Sequence, residues 1–160
     1  MKSQFHIIRF FSHAGLFILI ALWSYAFFIK IIDFSHYQKQ MADQPFAGIF
    51  KSVLTYGLLV FEGIAALLLI IGHQRSGLRL SLMLLIAFSL YILFILAGYF
   101  PERPCSCGGF ISKMSWKNHL WFNLALIAIN SFCLFYLSQQ ERRLSGTASK
   151  DFLNHDSIKG

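Results

Sequence analysis

The chain has 160 residues, of which 56% are hydrophobic and only 13% charged, with 18 Phe and a formal charge of +7; its mean hydropathy is +0.58. A soluble domain carries about 25% charged residues, so this composition lacks the polar material to coat a water-soluble globular enzyme and is far too apolar for a disordered chain. An integral membrane protein is the class that remains.

Four stretches match the roughly 20 apolar residues needed to cross a bilayer. The predicted spans are residues 10–32, 52–72, 79–100 and 118–138, forming a transmembrane domain over residues 1–140, followed by a polar tail over 141–160 read as flexible. None alternates with period 2, and backbone satisfaction in lipid then leaves helices. The expected fold is an all-α, four-helix membrane bundle in contact with the lipid bilayer. The first span begins after Lys2 and Arg9 like a secretory signal, and Ser24-Tyr25-Ala26 loosely fits a cleavage site, but Phe27, Phe28, Ile29, Ile31 and Ile32 carry the apolar run beyond it. The span is therefore expected to be retained.

Sidedness follows from Lys and Arg near the span ends. Placing both termini in the cytoplasm puts Lys2, Arg9, Arg75, Arg79, Arg142, Arg143, Lys150 and Lys159 inside, and Lys30, Lys39, Lys51, Arg103, Lys113 and Lys117 outside. Eight against six favours that arrangement. The positive charge then anchors the spans against anionic lipid, and nucleic-acid binding is not expected, since the chain has no folded basic surface.

At the end of the first span, Lys30 has two readings: it lifts its amine to the headgroups, or it pairs with Glu62, the one charged residue inside the second span. A carboxyl at that depth costs several kcal/mol unless neutralised, paired or hydrated, so Glu62 is a candidate proton carrier or cofactor contact, or else interhelical packing glue. Residues 34–46 mix aromatic and polar side chains, as a short interfacial helix does.

The loop after the third span reads Pro101-Glu102-Arg103-Pro104-Cys105-Ser106-Cys107-Gly108-Gly109. The prolines end the helix and the glycines turn the chain back. A disulfide across one residue closes a small ring that departs from relaxed geometry and is easily reduced, while Arg103 and Lys113 favour the thiolate that performs exchange. Cys105 and Cys107 are thus a candidate redox pair on an extracytoplasmic loop, with a loop staple as the alternative. A metal site built from Cys105, Cys107 and His119 lacks a fourth ligand and the usual spacing, so no metal is assigned. Ser115 is placed to cap the fourth helix. On that helix His119, Asn123, Asn130 and Cys133 form one stripe at helical spacing, expected to face the bundle; His119, nearest the loop, is a candidate proton carrier in thiol exchange. Asn123 and Asn130 are read as interhelical hydrogen-bond partners or ligand contacts, and Cys133 as a packed residue too deep to resolve the loop pair.

The run from Pro104 to Gly109, Ser115-Trp116, His119-Leu120 and Phe122-Asn123, together with Lys30-Ile31-Ile32-Asp33-Phe34 and Glu62, resembles MauE-type, DoxX-like redox-associated membrane proteins. The resemblance implies a multi-pass protein of the bacterial cytoplasmic (inner) membrane. It further implies a role in methylamine utilisation through maturation of a disulfide-rich methylamine dehydrogenase subunit, with an extracytoplasmic thioredoxin-like partner or disulfide-containing client. It also implies a distant relation to quinone-linked thiol oxidoreductases of the VKOR and DsbB kind, which makes a quinone the one cofactor under consideration. Those proteins carry two cysteine pairs, and this chain's single pair argues against an internal relay. The expected function is membrane thiol–disulfide exchange. A non-catalytic scaffold or chaperone with a structural cysteine staple is the alternative, and a small transporter using Glu62 the third.

Overall fold

The apolar runs fold into helices because lipid offers their backbone groups no other partner. The computed structural model describes residues 2–44, 48–99 and 115–158, with side chains described for 6–44, 48–99 and 115–142. Among the described residues five helices follow in chain order: α1 (Lys2–Ile32), α2 (Phe34–Ala42), α3 (Gly48–Ile70), α4 (Gln74–Leu96) and α5 (Trp116–Ile158). Among the described residues there is no strand. Four helices contain segments long and apolar enough to cross a membrane, His6–Ile32, Gly48–Ile70, Gln74–Leu96 and Trp116–Arg142, and the molecule is a four-helix membrane bundle. Its outward surface carries large apolar side chains such as Phe10, Phe17, Ile49, Met83 and Trp121, the lining expected of a lipid-facing surface.

Two turns depend on backbone that favours glycine. Gly72 (φ 91°) closes the short connection from α3 to α4, and Gly98 (φ 78°) ends α4. There the Gly98 N–H donates to the Ile95 carbonyl at 3.1 Å and the Tyr99 N–H to the Phe94 carbonyl at 3.2 Å, the paired bonds that satisfy a helix's last carbonyls. The third span, α4, therefore stops at Leu96, before the prolines expected to end it. At the other side of the loop the prediction for Ser115 agrees with the structure: α5 starts after it, and its Oγ accepts from the Asn118 N–H at 3.3 Å. The backbone of α5 runs on as helix through the polar segment to Ile158.

The short helix α2 does more than lie at an interface. The Asp33 carboxylate caps it by accepting from the His36 N–H at 3.1 Å, and Tyr37 and Met41 are buried. The Tyr37 hydroxyl donates to the Thr55 carbonyl at 2.9 Å, the Lys51 amine donates to the Ala42 carbonyl, and the Phe34 and Tyr56 rings lie 6.0 Å apart. So α2 packs along the first turns of α3, and the end of α1 lies level with the middle of α3 and below its start.

Inside the bundle, Leu19, Trp23, Ala65, Leu69, Leu78, Leu85 and Leu126 form the core. Several polar groups there join helices. Ser81 of α4 accepts from Trp23 Nε1 of α1 at 2.7 Å and bonds to the Asn130 amide of α5 at 2.6 Å. With the Asn130 oxygen facing Ser81, its nitrogen donates to the Leu78 carbonyl at 3.1 Å. Nearer the amino-terminal end of α1, the buried Cys133 thiol donates to the Ser12 carbonyl at 3.5 Å, the packing position expected for it.

Candidate functional site

Glu62 is 1% exposed and Lys30 6% exposed, depths at which neither charge is tolerable alone. They meet: Lys30 Nζ donates to both carboxylate oxygens, at 2.5 Å and 2.6 Å. Of the two sequence readings of Lys30, the structure has the ion pair; the amine does not rise to the headgroups. The ring of Tyr37 lies under the amine, with Nζ 5.6 Å from its centroid, a favourable arrangement for a cation. The pair thus ties α1 to α3, and α2 supplies the face that covers it.

The inward stripe of α5 arrives beside this pair. Asn123, Asn130 and Cys133 are buried, as the helical spacing predicts. His119 and Asn123, with Trp23 and Ala26 of α1 and Leu85 and Phe88 of α4, close a chamber of about 80 Å³ whose wall includes Lys30 and Glu62. Two of its polar atoms are orphans: Asn123 Nδ2 and His119 Nδ1 are buried with no hydrogen-bond partner among the described residues. Asn130 follows the interhelical bonding expected of the stripe, whereas the Asn123 amide nitrogen does not. Buried donors are normally paired, and the Asn123 amide nitrogen is an exception among the described residues.

Across His119 and Phe88 lies a second space, a groove of about 360 Å³ between α2, α3, α4 and the start of α5, also lined by Met41, Phe61, Tyr91 and Trp116. Its walls are aromatic and aliphatic. Trp116 stacks on His119, with centroids 6.4 Å apart and planes 19° apart, and Phe88 stacks on Trp23 at 6.5 Å and 26°. The Tyr91 hydroxyl donates to the Gln44 side-chain oxygen, tying the end of α2 to α4 along the groove.

The structure brings together Lys30, Glu62, His119 and Asn123 of the residues singled out from sequence. Cys105, Cys107, Arg103 and Lys113 lie outside the described residues. The segment that carries them leaves from Tyr99 and returns at Ser115, at the end of the bundle that holds the groove and the chamber. Sequence reasoning missed Trp23, Tyr37, Phe88 and Tyr91; nothing marks them among so many aromatics, except that Tyr37 follows Lys30 by two helical turns across Asp33.

Four apolar helices closed around an ion pair and a polar chamber define a multi-pass membrane protein whose interior chemistry is gathered toward one end. The chain belongs to the MauE family, described as methylamine utilisation protein MauE, whose model matches residues 8–136. That match takes in the ion pair, the chamber and both flanks of the cysteine loop. The DoxX-like likeness goes no further than the sequence motifs. No curated protein and no solved structure gives a significant match.

Proposed function

We propose that the protein is a thiol–disulfide exchange protein of the bacterial inner membrane, with Cys105 and Cys107 as its working pair on the extracytoplasmic side. In one turn of the cycle the Cys105–Cys107 disulfide takes two electrons and two protons from the dithiol of a thioredoxin-like partner. The partner thiolate attacks one sulfur, a mixed disulfide forms, and the partner's second thiolate resolves it. The partner leaves oxidised, ready to form a disulfide in its client, and the pair remains as two thiols awaiting re-oxidation. Arg103 and Lys113 favour the thiolate form. By family membership the client belongs to methylamine utilisation, and maturation of methylamine dehydrogenase is the role that fits.

The observation that carries this reading is where the loop is attached. Ser115 caps α5, and His119, one turn further on, lines the chamber with Lys30 and Glu62. Cys107 lies eight residues before Ser115, a separation of at most about 28 Å for an extended chain. In this reading His119 passes a proton between the loop sulfurs and the interior, a role supported by its place in the chamber wall. Cys133, sealed against Ser12, takes no part.

The test is trapping. In this direction the partner's second cysteine resolves the mixed disulfide, so a thioredoxin-like partner lacking it is expected to accumulate that mixed disulfide on non-reducing gels, and the double variant Cys105→Ser, Cys107→Ser to abolish it together with client maturation. Maturation that proceeds normally in the double variant overturns the proposal and leaves the loop cysteines a staple. Cys133→Ala is expected to leave both readouts unchanged.

A further inference from the structure

The chamber and the groove share His119 and Phe88 as their partition, and their sizes and linings are complementary. A cavity of 150 Å³ is known to take a benzene ring; the chamber, at about 80 Å³, is too small for a ring but large enough for the polar tip of one. The groove, at about 360 Å³, takes a ring and the start of an apolar chain. Its walls present flat faces from Phe88, Tyr91, Trp116 and His119, which suit a planar ligand.

The tip is constrained chemically. Asn123 is 5% exposed and its Nδ2, a donor only, has no partner among the described residues. It requires an acceptor. Lys30 and Glu62 already satisfy each other, so the chamber does not call for a full charge, and a carboxylate tip would face the Glu62 carboxylate. A neutral carbonyl oxygen is the acceptor that fits. A planar ring, a neutral carbonyl at its edge and an apolar tail, dissolved in the membrane, together describe a quinone.

We propose that the groove and chamber form one binding site for a membrane quinone, its ring between Phe88 and Trp116, its carbonyl reaching past His119 to Asn123, and its tail leaving along Val53, Leu54 and Gly57 of α3. Occupancy stands on this geometry alone. Its redox use rests on the thiol–disulfide reading: the two electrons and two protons of the Cys105–Cys107 dithiol would reduce the quinone to hydroquinone and restore the disulfide, which is the re-oxidation that cycle lacks.

Decyl-benzoquinone is the probe, titrated into the purified full-length protein in phosphatidylcholine nanodiscs with tryptophan fluorescence as readout, since Trp23 and Trp116 line the two spaces. Saturable quenching is expected, with decylbenzene, which has the ring and tail but no carbonyl, competing at least about tenfold less well. Asn123→Leu, which keeps the bulk and removes the donor, is expected to weaken binding about tenfold, the loss of one neutral hydrogen bond. Gly57 lines the groove and a side chain there meets nothing within 4 Å, so Gly57→Phe is expected to fill the groove and remove the saturable component while circular dichroism stays that of the parent. The double variant Cys105→Ser, Cys107→Ser is expected to bind as the parent does, so failure of the thiol reading leaves this site standing. Quenching that rises without saturation and alike in every protein overturns the site, as does equal competition by decylbenzene. Parental affinity in Asn123→Leu assigns the chamber to water and overturns it equally.

Discussion

At the scale of single residues, the account turns on Lys30 and Glu62. Two charges taken out of water recover their desolvation only by pairing closely, and removing one partner strands the other, which costs about 3–5 kcal/mol. Lys30→Met and Glu62→Leu are each expected to lower the thermal midpoint of the detergent-solubilised protein substantially, and the double variant to recover most of the loss, because an apolar pair of similar volume replaces both charges. A double variant no more stable than either single would show that the two do not act as a pair. The sequence marked Glu62 plainly, as the one charge inside the second span. It left Lys30 between two readings because Lys30 lies at the end of its span while Glu62 is in the middle of its own, positions that would not meet if all four spans were level. They are not: α2 packs along the first turns of α3 through Tyr37 and Thr55, and so lowers the end of α1 to the depth of Glu62. The aromatic walls of the groove were illegible for a different reason, since Phe88 and Trp116 acquire meaning only from the spaces that their neighbours leave.

At the scale of helices, apolar length specifies the spans and glycine specifies how they meet. A methyl group at Gly77 would lie 2.8 Å from a side-chain carbon of Leu69 and 3.1 Å from its backbone nitrogen, so α3 and α4 touch there almost backbone to side chain. Gly77→Ala is expected to destabilise the bundle by about 1–3 kcal/mol, the range for overpacking. At Gly57, by contrast, the space is open, and Gly57→Ala is expected to be neutral or to stabilise by up to about 1 kcal/mol through helix propensity. Thermal unfolding of the two variants side by side checks the contrast; equal effects would contradict the crossing. The four spans were readable from sequence because twenty apolar residues in lipid have one backbone solution. Their ends were less so: the prolines at 101 and 104 were the visible stop signals, yet the chain leaves the helix earlier, where Gly98 adopts a positive φ and closes the last carbonyls. Ser115 was legible because a cap is a local device, decided within one turn.

At the scale of the whole molecule, the bundle is polarised. The ion pair, His119, Asn123 and the Tyr91–Gln44 bond lie toward the end where residues 100–114 join α4 to α5, while the opposite end holds Cys133 against Ser12 and the exposed Arg75–Glu141 pair. The MauE family assignment and the four-helix outline were both within reach of the sequence, the first from the cysteine motif and the residues flanking it. The convergence of α1, α3 and α5 on one chamber was not, because it depends on the relative heights and rotations of helices that no spacing rule reports. The central claim is that this polarised end faces outward and carries a sulfur pair that changes state. It is tested most directly by labelling Cys105 and Cys107 in intact cells with a membrane-impermeant maleimide, before and after mild reduction, in a Cys133→Ala background. The account predicts little labelling before reduction and strong labelling after it, without permeabilising the cells. Labelling that requires permeabilisation, or that reduction leaves unchanged, would contradict it.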